Sequence, residues 1–595
     1  MITVDSKPDV RAMSGNVEKT DRDLRPIAAL VVLTVLLLIP FSDKALHIDD
    51  PFYVWVAQQI HVMPWDFFGF ETFWTGAVAP VWWHNKNPPG TSYFIAMAAA
   101  VFGWSERALH LAFLVPAVGA VVGTYMLAKR MCGSPFMAAV TSLVSPVFLI
   151  SGTQVMCESL LLCSWVWSVL FWVDGIDRKR FVSLLASAGM VSLACLIKYP
   201  GINLIPLLFA YGLIRQRSIG WWTVALLIPV AVLAAYDMYT ANLYGQGHFT
   251  DAMLYASATQ ERTYLANGLT SLVFLGGCMA PVLFYLPWLC SGRQLLAFGL
   301  VTIAAIAVTP QLGWLKGHAL MTDDGAAWAT AIPIGLFACG GGLILVLVTR
   351  DVWKRRDGES LLLWLWIVGV FVFAGFVNWS VNGRSILPLV PAAAILLVRR
   401  VDEGQGLLTF NRPAIKLIAV LPAAVFALLP TYGDYSIANS SRIAAKEIVD
   451  TYAVENQRLW FQGHWGFQWY IESSGALPLG PRLVRFPLSD KLLPTERTSP
   501  LAKLRSGDLL IIPENNTNVR LTIARSPDGS TGVVRLGRSG PQVPISELHV
   551  HKIPVSIFTT LSGFHGAGFY SDTFGPLPFT AGPMRPETYY VVRIR

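Results

Sequence analysis

The feature that most constrains this chain is a series of apolar segments that approach the length needed to cross a lipid bilayer. Only 14% of its 595 residues are charged, whereas a soluble protein of this size has about a quarter. The mean hydropathy is +0.51, and the chain is therefore predicted to be a polytopic α-helical membrane protein. Thirteen segments are candidate spans: 26–41, 107–128, 136–151, 157–174, 181–198, 200–214, 220–240, 269–290, 294–310, 328–349, 361–379, 384–398 and 413–431.

A fourteenth apolar segment, 88–103, decides the topology, because one extra crossing would reverse the side of every later loop. If 88–103 does not cross, most basic loop residues fall on the cytoplasmic side, as the positive-inside rule requires. A 16-residue helix would also reach only about 24 Å across a core of about 30 Å. The segment is therefore predicted to lie on or dip into the outer face. The basic residues then predicted to be cytoplasmic are those of the N-terminal tail and Lys129, Arg130, Arg178, Lys179, Arg180, Arg215, Arg217, Arg293, Arg350, Lys354, Arg355, Arg356, Arg399, Arg400 and Arg412.

The same topology explains the formal net charge of +8, because the Lys and Arg residues form short clusters between apolar segments. A nucleic-acid partner is not predicted. All seven Cys residues lie in or beside apolar segments and no CxxC pair occurs, so neither a disulfide framework nor a zinc site is indicated. Residues 1–25 are predicted to be a cytoplasmic tail. No convincing small-residue cleavage site follows 26–41, so this segment is predicted to be an uncleaved first span.

The thirteen-span topology gathers several charged residues on one non-cytoplasmic face. Three loops, 47–90, 241–268 and 311–327, can fold over one site there. The first outer loop, 42–106, is predicted to carry interfacial helices, because FYVWVAQQI is aromatic and aliphatic with few charges. The charged residues gathered on this face are Asp49, Asp50, Lys86, Glu158, Lys198 and Arg384.

After the last candidate span the composition becomes mixed and no long apolar segment occurs. We divide the chain into the tail, a transmembrane catalytic domain over 26–431 and a C-terminal soluble domain over 432–595. RIAAKEIVDTYAVE has helical spacing, and RLWFQG, DLLIIP and TYYVVRIR are typical of strands, which predicts a small α/β domain on the outer side. His464 is flanked by aromatic residues there, and a structural role is favoured over contact with a sugar.

Several motifs resemble the GT-C glycosyltransferases, in the branch that contains the protein O-mannosyltransferases and the lipid A aminoarabinose transferase. HIDDPFYVWVAQQI resembles the start of their first outer loop, with the acidic pair Asp49-Asp50 and with Tyr53 three residues later. In the family the second acid is usually Glu. NKNPPGTSYF, FGWSERALHL, QVMCESLLL, KYPG and NGRSILPLVPA resemble further family segments in the same order, although Asn87 is inserted after Lys86. The resemblance covers about residues 25–400 and implies the GT-C fold.

The chemistry of sugar transfer from a lipid phosphate assigns a role to each type of residue. An acceptor hydroxyl that attacks the anomeric carbon needs a carboxylate as general base, for which we favour Asp49, with Asp50 orienting it or contacting the sugar. The leaving phosphate needs cations at headgroup depth, for which we favour Arg384, Lys86 and Lys198. Glu158 is predicted as a second active-site acid, and the resemblance adds Tyr53 as a substrate-binding residue.

Each of these residues also has a structural interpretation. Asp49 or Asp50 could cap the interfacial helix that Pro51 starts, and the basic residues could extend to the interface along their alkyl chains. Glu158 suits a helix N-terminus. Two further sets of polar residues could have a structural or a metal-binding role. Asp323 and Asp324 are predicted to cap span 328–349, and His47, His61 and His84 could ligate a metal but match no known ligand spacing.

The sequence therefore predicts an inverting glycosyltransferase of the inner membrane, with a cytoplasmic N-terminus and a periplasmic C-terminal domain. Its predicted partners are a polyprenyl-phosphate sugar donor, membrane lipids and a lipid, glycan or protein acceptor. No cofactor is expected, although a divalent metal is possible. The alternatives are a transporter or flippase of lipid-linked sugars, a metal-dependent oligosaccharyltransferase or ligase, and an inactive scaffold. A transporter would be expected to carry ionisable residues at mid-membrane depth and an internal repeat.

Overall fold

The computed structural model describes residues 24–595 except 260–262, 323–324, 409–417, 419, 454–456, 486–491, 495–498, 526–531 and 538–539. Helices follow one another through most of this chain up to Tyr452. The α-helices are Arg25–Leu38, Asp50–Val62, Val81–His84, Gly90–Phe102, Glu106–Met131, Pro135–Leu143, Pro146–Gly152, Cys157–Arg178, Phe181–Ile197, Leu204–Gln216, Leu227–Tyr244, His248–Thr259, Tyr264–Cys278, Pro281–Phe284, Leu286–Leu289, Gly292–Val308, Trp328–Arg355, Gly358–Val372, Gly383–Ile386, Val390–Asp402, Val420–Tyr452 and Trp465–Ser473.

Fewer helices meet the full length of a membrane span than the thirteen that were predicted. Six helices of the described residues are long and apolar enough, or seven if the bent pair Pro135–Leu143 and Pro146–Gly152 forms one span. The pair bends by 63°, because Pro146 lacks the N–H that would continue the first helix. Shorter apolar helices such as Phe181–Ile197 fill other predicted spans. The polytopic helical class is confirmed, and the count of thirteen stays a prediction.

One end of the helical region gathers the basic clusters that were predicted to be cytoplasmic. The Asp177 carboxylate lies 2.9 Å from the Arg215 guanidinium and 3.5 Å from that of Arg130. The Nε of Arg399 donates to the carbonyl of Met131 at 2.8 Å, which joins the second half of the chain to the same cluster. Segments far apart in sequence therefore present their basic residues at one end, as the topology requires.

The ambiguous segment 88–103 forms the helix Gly90–Phe102, and the contacts near its two ends place both of them away from the basic clusters. Gly90 packs against the carbonyl of Leu196, so closely that a Cβ there would approach its oxygen to 2.5 Å. Shortly after the helix ends, Glu106 accepts a hydrogen bond from the Tyr470 hydroxyl of the C-terminal region. A helix with both ends on one face does not cross, which agrees with the predicted placement.

The C-terminal region contains the predicted sheet. Seven strands pair in the order Leu521–Arg525, Gly532–Leu536, Gln542–Ile553, Glu587–Ile594, Leu509–Pro513, Leu459–Phe461 and Leu477–Pro478. Helix Trp465–Ser473 and the end of Val420–Tyr452 pack on it through Phe467, Ile471 and Ile448. The α/β class predicted for this region is confirmed.

The boundary predicted at residue 432 falls inside one continuous helix, Val420–Tyr452, which leads from the helical region into the C-terminal one. A segment from 557 to 582, which we call the C-terminal strap, then returns to the helical region. Gly433 packs closely against Phe558 of the strap, and the N–H of Gly383 donates to the carbonyl of Phe569 at 2.8 Å. The C-terminal chain therefore contacts the loop that carries Arg384.

Candidate active site

A pocket of about 220 Å³ lies at the end of the helices opposite the basic clusters. Its lining comes from the first outer loop, from the start of the 3-10 helix after Phe181–Ile197 and from the segment 378–385. Five of the seven predicted site residues line it: Asp49, Tyr53, Lys86, Lys198 and Arg384. Residues separated by up to 335 positions in sequence are thus brought to one cavity.

Asp49 and Arg384 form an ion pair at the pocket wall. The Nη1 of Arg384 donates to the Oδ2 of Asp49 at 2.9 Å. Asp49 precedes the helix Asp50–Val62, but its side chain makes no capping hydrogen bond. The Asp49 side chain is 32% exposed, compared with 12% for Arg384. The carboxylate predicted to be the base therefore faces the cavity, and an adjacent guanidinium balances its charge.

Glu158 lies behind the pocket lining and contacts two of the cations. It is buried in the first turn of helix Cys157–Arg178, with its Oε1 at 3.0 Å from the Nζ of Lys198 and 3.9 Å from the Nε of Arg384. Its Oε2 has no hydrogen-bond partner among the described residues. A carboxylate this buried is stable only beside positive charge, so Glu158 fixes the positions of both cations.

Lys86 contacts a partner that the sequence analysis did not identify. Its Nζ donates to the carbonyl of Trp83 at 2.8 Å and pairs with the carboxylate of Asp251. Asp251 belongs to helix His248–Thr259, in the 241–268 loop that was expected to fold over the site. The phenol ring of Tyr255, one turn later, lies 5.5 Å from the same ammonium group. This helix therefore covers one side of the pocket.

The three cations of the pocket are all paired with carboxylates. Arg384 pairs with Asp49, Lys198 with Glu158, and Lys86 with Asp251. The formal charges of these three pairs cancel. An anion that enters the pocket must therefore compete with a carboxylate for each cation that it contacts.

Asp50 does not line the pocket, which corrects the expectation that it could contact a sugar directly. It is fully buried, and its two oxygens accept the backbone N–H groups of His47 at 2.8 Å and Val155 at 3.0 Å. Burial raises the pKa of the Asp50 carboxyl to about 7. It does not cap the helix that it starts. The carboxyl group joins the first outer loop to the segment before Glu158, and so it can act by positioning Asp49.

Tyr53 lines the pocket, while its hydroxyl points away from the solvent. That hydroxyl donates to the Sγ of Cys157 at 3.3 Å, and the side chain is buried. The ring therefore forms part of the wall, and the hydroxyl reaches the helix that carries Glu158.

A buried polar network that the sequence did not reveal supports the Arg384 side of the pocket. Lys44 and Asp434 form an ion pair with both side chains completely buried. The hydroxyl of Tyr570, from the C-terminal strap, donates to Asp434 at 2.8 Å and accepts from Gln154 at 2.7 Å. The guanidinium carbon of Arg384 lies 5.5 Å from the centre of the Tyr570 ring. The strap therefore forms part of the structural support of the site.

The histidines considered as metal ligands lie apart from one another. His47 is buried, and burial lowers its pKa to about 4, whereas His61 packs edge-on against Trp104. His84 lines the pocket, with its Nδ1 at 3.1 Å from the Oγ1 of Thr75. Within the described ranges, no three His, Cys, Asp or Glu side chains come together as metal ligands would. The expectation of metal-independent chemistry stays a prediction.

Of the remaining candidate residues, the structure describes His464. His464 is buried, with its Nδ1 at 2.8 Å from the hydroxyl of Thr517 and its ring 4.6 Å from that of Trp74. These contacts agree with the structural role favoured for it. Asp323 and Asp324 lie outside the described residues.

Comparison with protein families decides the class of the chain. Residues 86–240 match the model of the dolichyl-phosphate-mannose-protein mannosyltransferase family. The chain is a glycosyltransferase similar to these mannosyltransferases. The match includes Lys86, Glu158 and Lys198, whereas Asp49 and Arg384 lie outside it. This match confirms the predicted resemblance to the protein O-mannosyltransferases and the predicted enzyme class, and the long apolar helices confirm a multi-pass membrane protein. A comparison with curated protein sequences found no match.

Two solved structures with an overall likeness to this chain have low sequence identity to it. ArnT from Cupriavidus metallidurans, bound to undecaprenyl phosphate, is 11% identical with a TM-score of 0.42, over 82% of this chain and 93% of its own. The oligosaccharyltransferase of Archaeoglobus fulgidus in its apo form is 13% identical with a TM-score of 0.46, over 93% of this chain and 78% of its own. At these values the likenesses by themselves decide neither the mechanism nor the substrate.

Proposed function

We propose that this glycosyltransferase transfers a sugar, with inversion, from a polyprenyl-phosphate donor to a hydroxyl group of a lipid, glycan or protein acceptor. The proposed location is the periplasmic face of the inner membrane, with the N-terminus cytoplasmic. We further propose a membrane catalytic domain and a periplasmic domain that meet within helix Val420–Tyr452. The observation that carries the proposal is that the accessible carboxylate of Asp49 lines the same pocket as Arg384 and Lys198.

The proposed reaction needs a base on one side of the anomeric carbon and cations on the other. The Asp49 carboxylate takes the proton of the acceptor hydroxyl while the oxygen of that hydroxyl forms a bond to the anomeric carbon. The bond from that carbon to the phosphate oxygen breaks, and the phosphate leaves with the electron pair. Arg384 and Lys198 bind the developing negative charge. Because attack and departure occur on opposite faces of the sugar, the configuration inverts.

The ion pair between Asp49 and Arg384 gives donor binding a second role. The guanidinium of Arg384 donates to the Oδ2 of Asp49, so this oxygen is occupied while the ion pair is intact. When the donor phosphate binds Arg384, it competes with Asp49 for the same N–H groups and releases the carboxylate for proton transfer. Glu158 continues to hold Lys198, which keeps a cation in place during the exchange. Base activation is therefore coupled to donor binding.

Lys86 and Asp251 form the corresponding pair on the other side of the pocket, where Lys86 is proposed as a further phosphate or sugar contact. Each side chain of this pair is 22% exposed. The Lys198 and Glu158 side chains are 16% and 1% exposed, so water screens the Lys86–Asp251 pair more, and a donor phosphate can displace Asp251 from Lys86 more readily than Glu158 from Lys198. The helix that carries Asp251 would then separate from the first outer loop as the donor enters.

The proposal is tested with the Arg384→Gln variant and purified protein in liposomes. Loss of a charged hydrogen bond to phosphate is expected to weaken binding of polyprenyl phosphate about ten- to a hundred-fold. The control is Arg107→Gln, because Arg107 is exposed on the same face and does not line the pocket. Transfer of labelled sugar is measured in parallel.

Two outcomes would contradict the proposal. Unchanged binding in Arg384→Gln would exclude the phosphate role of Arg384, and no transfer by the unmodified protein across a panel of donors and acceptors would contradict the reaction. Addition of a chelator is expected to leave the transfer rate unchanged. Loss of transfer after the chelator is added would favour a metal-dependent oligosaccharyltransferase.

A further inference from the structure

Two apolar grooves run along helix Trp328–Arg355 at the end of the molecule opposite the candidate active site. The first has a volume of about 520 Å³ and lies between this helix and Gly292–Val308, with Phe298, Val301 and Leu343 in its lining. The second has a volume of about 740 Å³ and is shallow and open, because all of its lining residues, from Leu345 to Lys354, belong to this one helix. Both grooves are bordered by Val346 and Arg350. They are therefore neighbours that meet at one guanidinium group.

Arg350, at the meeting point, differs from the other basic residues of this end. Arg355 lies 2.9 Å from Glu403, and Arg399 lies 3.0 Å from Asp351. Arg350 is exposed and has no carboxylate within ion-pair distance in the part of the chain that the structure describes. Its charge is available to a ligand.

Arg400 is the second cation of the first groove. Its side chain is 10% exposed, and its Nη1 donates to Glu403 at 2.8 Å and to the Oε1 of Gln405 at 2.5 Å, so a phosphate must compete with both acceptors. Its Nε is buried and has no hydrogen-bond partner among the described residues. A buried N–H without a partner is costly, which indicates a missing acceptor at this position.

We propose that the two grooves bind one anionic diacyl phospholipid from the leaflet opposite the active site. One acyl chain lies in each groove, on either side of Val346, and the phosphate binds Arg350 and Arg400. Basic pockets between membrane helices recognise anionic headgroups in this way, because the charge adds to the burial of the chains. Trp353 and Lys354, at the end of the second groove, lie where aromatic and basic residues meet the headgroup region.

The pair of grooves distinguishes this ligand from a polyprenyl phosphate. A polyprenyl phosphate has one chain and would leave one groove empty, whereas a diacyl lipid fills both. The simplest alternative is that Arg350 only extends its charge to the interface. That alternative predicts no preference for a particular headgroup.

The test measures the lipids that remain bound to the full-length protein. The protein is exchanged into nanodiscs of phosphatidylglycerol and phosphatidylethanolamine with identical chains, and the retained lipids are identified by native mass spectrometry. The unmodified protein is expected to retain phosphatidylglycerol. Arg350→Gln is expected to lower that preference about five-fold, as the loss of one basic contact predicts. Arg293→Gln is the matched control, because Arg293 is exposed near the same end and borders neither groove.

A second variant tests the grooves themselves. A Cβ at Gly342, which borders the first groove, meets no atom within 4 Å, so Gly342→Phe fills the groove without a clash near the backbone. It is expected to abolish retention, whereas Gly299→Phe, also in open space and outside both grooves, is expected to keep it.

Three results would overturn the proposal: equal retention of the two lipids, equal effects of Arg350→Gln and Arg293→Gln, or displacement of phosphatidylglycerol by added polyprenyl phosphate. The last result would assign the grooves to a single-chain lipid.

Discussion

At the scale of single residues, the main result is that the predicted base and the predicted phosphate ligand bind each other. Asp49 lies 2.9 Å from Arg384, although the two were assigned to opposite sides of the reaction. The pairing keeps Arg384 charged at a partly buried site and holds Asp49 toward the cavity. A donor phosphate that binds Arg384 would separate it from Asp49 and so free the Asp49 carboxylate to accept a proton.

A further prediction concerns His464 and the dependence of stability on pH. Burial lowers the pKa of His464 from 6.5 to about 3. The unfolded chain therefore takes up this proton first, so the stabilisation is complete above pH 6.5 and is lost as the pH falls below it, by about 1.4 kcal/mol per pH unit. In His464→Phe the drop in the unfolding midpoint between pH 7 and pH 5 is expected to be smaller than in the unmodified protein.

The control for this prediction is His549→Phe, because His549 is exposed on a strand of the same sheet. That variant is expected to keep the full drop in midpoint, measured by intrinsic fluorescence during heating. A drop in His464→Phe as large as in the unmodified protein would show that His464 is protonated as readily in the folded state as in the unfolded one.

At the scale of elements, the loop that carries Arg384 depends on the C-terminal strap. The N–H of Val381 donates to the Oδ1 of Asp572 at 3.2 Å, and the N–H of Asp572 donates to the Val381 carbonyl at 2.8 Å. The carboxylate of Asp572 also lies 2.7 Å from the Nζ of Lys316, which belongs to the outer loop 311–327. The strap therefore joins two outer loops at the pocket.

The close packing of Gly383 tests the role of the strap. A Cβ at Gly383 would lie 2.5 Å from the ring of Phe569, so Gly383→Ala must displace the strap or the loop. We expect a loss of about 1–3 kcal/mol in stability, and a rate about ten- to a hundred-fold lower because Arg384 is misplaced. The measurement is sugar transfer together with the unfolding midpoint.

Gly369→Ala serves as the matched control, because a Cβ at that position meets no atom within 4 Å. Unchanged transfer in Gly383→Ala would show that the strap does not position Arg384.

The elements also show which parts of the site a sequence can predict. Asp49, Lys86, Lys198 and Arg384 were identified because charges near the ends of apolar segments are few and the topology places them on one face. The sequence could not predict that the Asp50 side chain points into the protein interior and not into the pocket. Its position next to Asp49 does not fix its direction at the start of a helix.

The supporting network was beyond the reach of sequence patterns for a different reason. Lys44 and Asp434 are 390 positions apart and neither belongs to a periodic pattern, so nothing in the sequence indicates that they meet. Tyr570 lies in a strap without long strands or helices. The break near Pro146 was missed because the candidate span 136–151 was assigned by its apolar length alone, although a proline inside it indicates a break.

At the scale of the whole molecule, the charge pattern and the fold lead to one topology. The basic clusters gather at one end, and the candidate active site lies at the other end together with both ends of helix Gly90–Phe102. The C-terminal strap and the sheet domain lie on the active-site side. This arrangement supports the proposed periplasmic location of the active site, because the positive-inside rule expects basic clusters on the cytoplasmic side.

This topology is tested by reporter fusions on either side of helix Glu106–Met131. A fusion at Gly103 is expected to report the outside and one at Lys129 the inside, because this helix is 26 residues long and crosses once. An active alkaline phosphatase and an active fluorescent protein provide the two readouts. The opposite pair of results would move the active site to the cytoplasm.

The measurement that tests the central claim most directly compares Asp49→Asn with the unmodified protein in a single turnover of labelled polyprenyl-phosphate sugar. Asn keeps the shape of the side chain but cannot accept the proton, so the rate is expected to fall by about 10²–10⁴-fold while the donor still binds. Glu71→Gln, which changes an exposed carboxylate of the same loop, is expected to retain the rate. Equal rates for Asp49→Asn and the unmodified protein would contradict the assignment of Asp49 as the base.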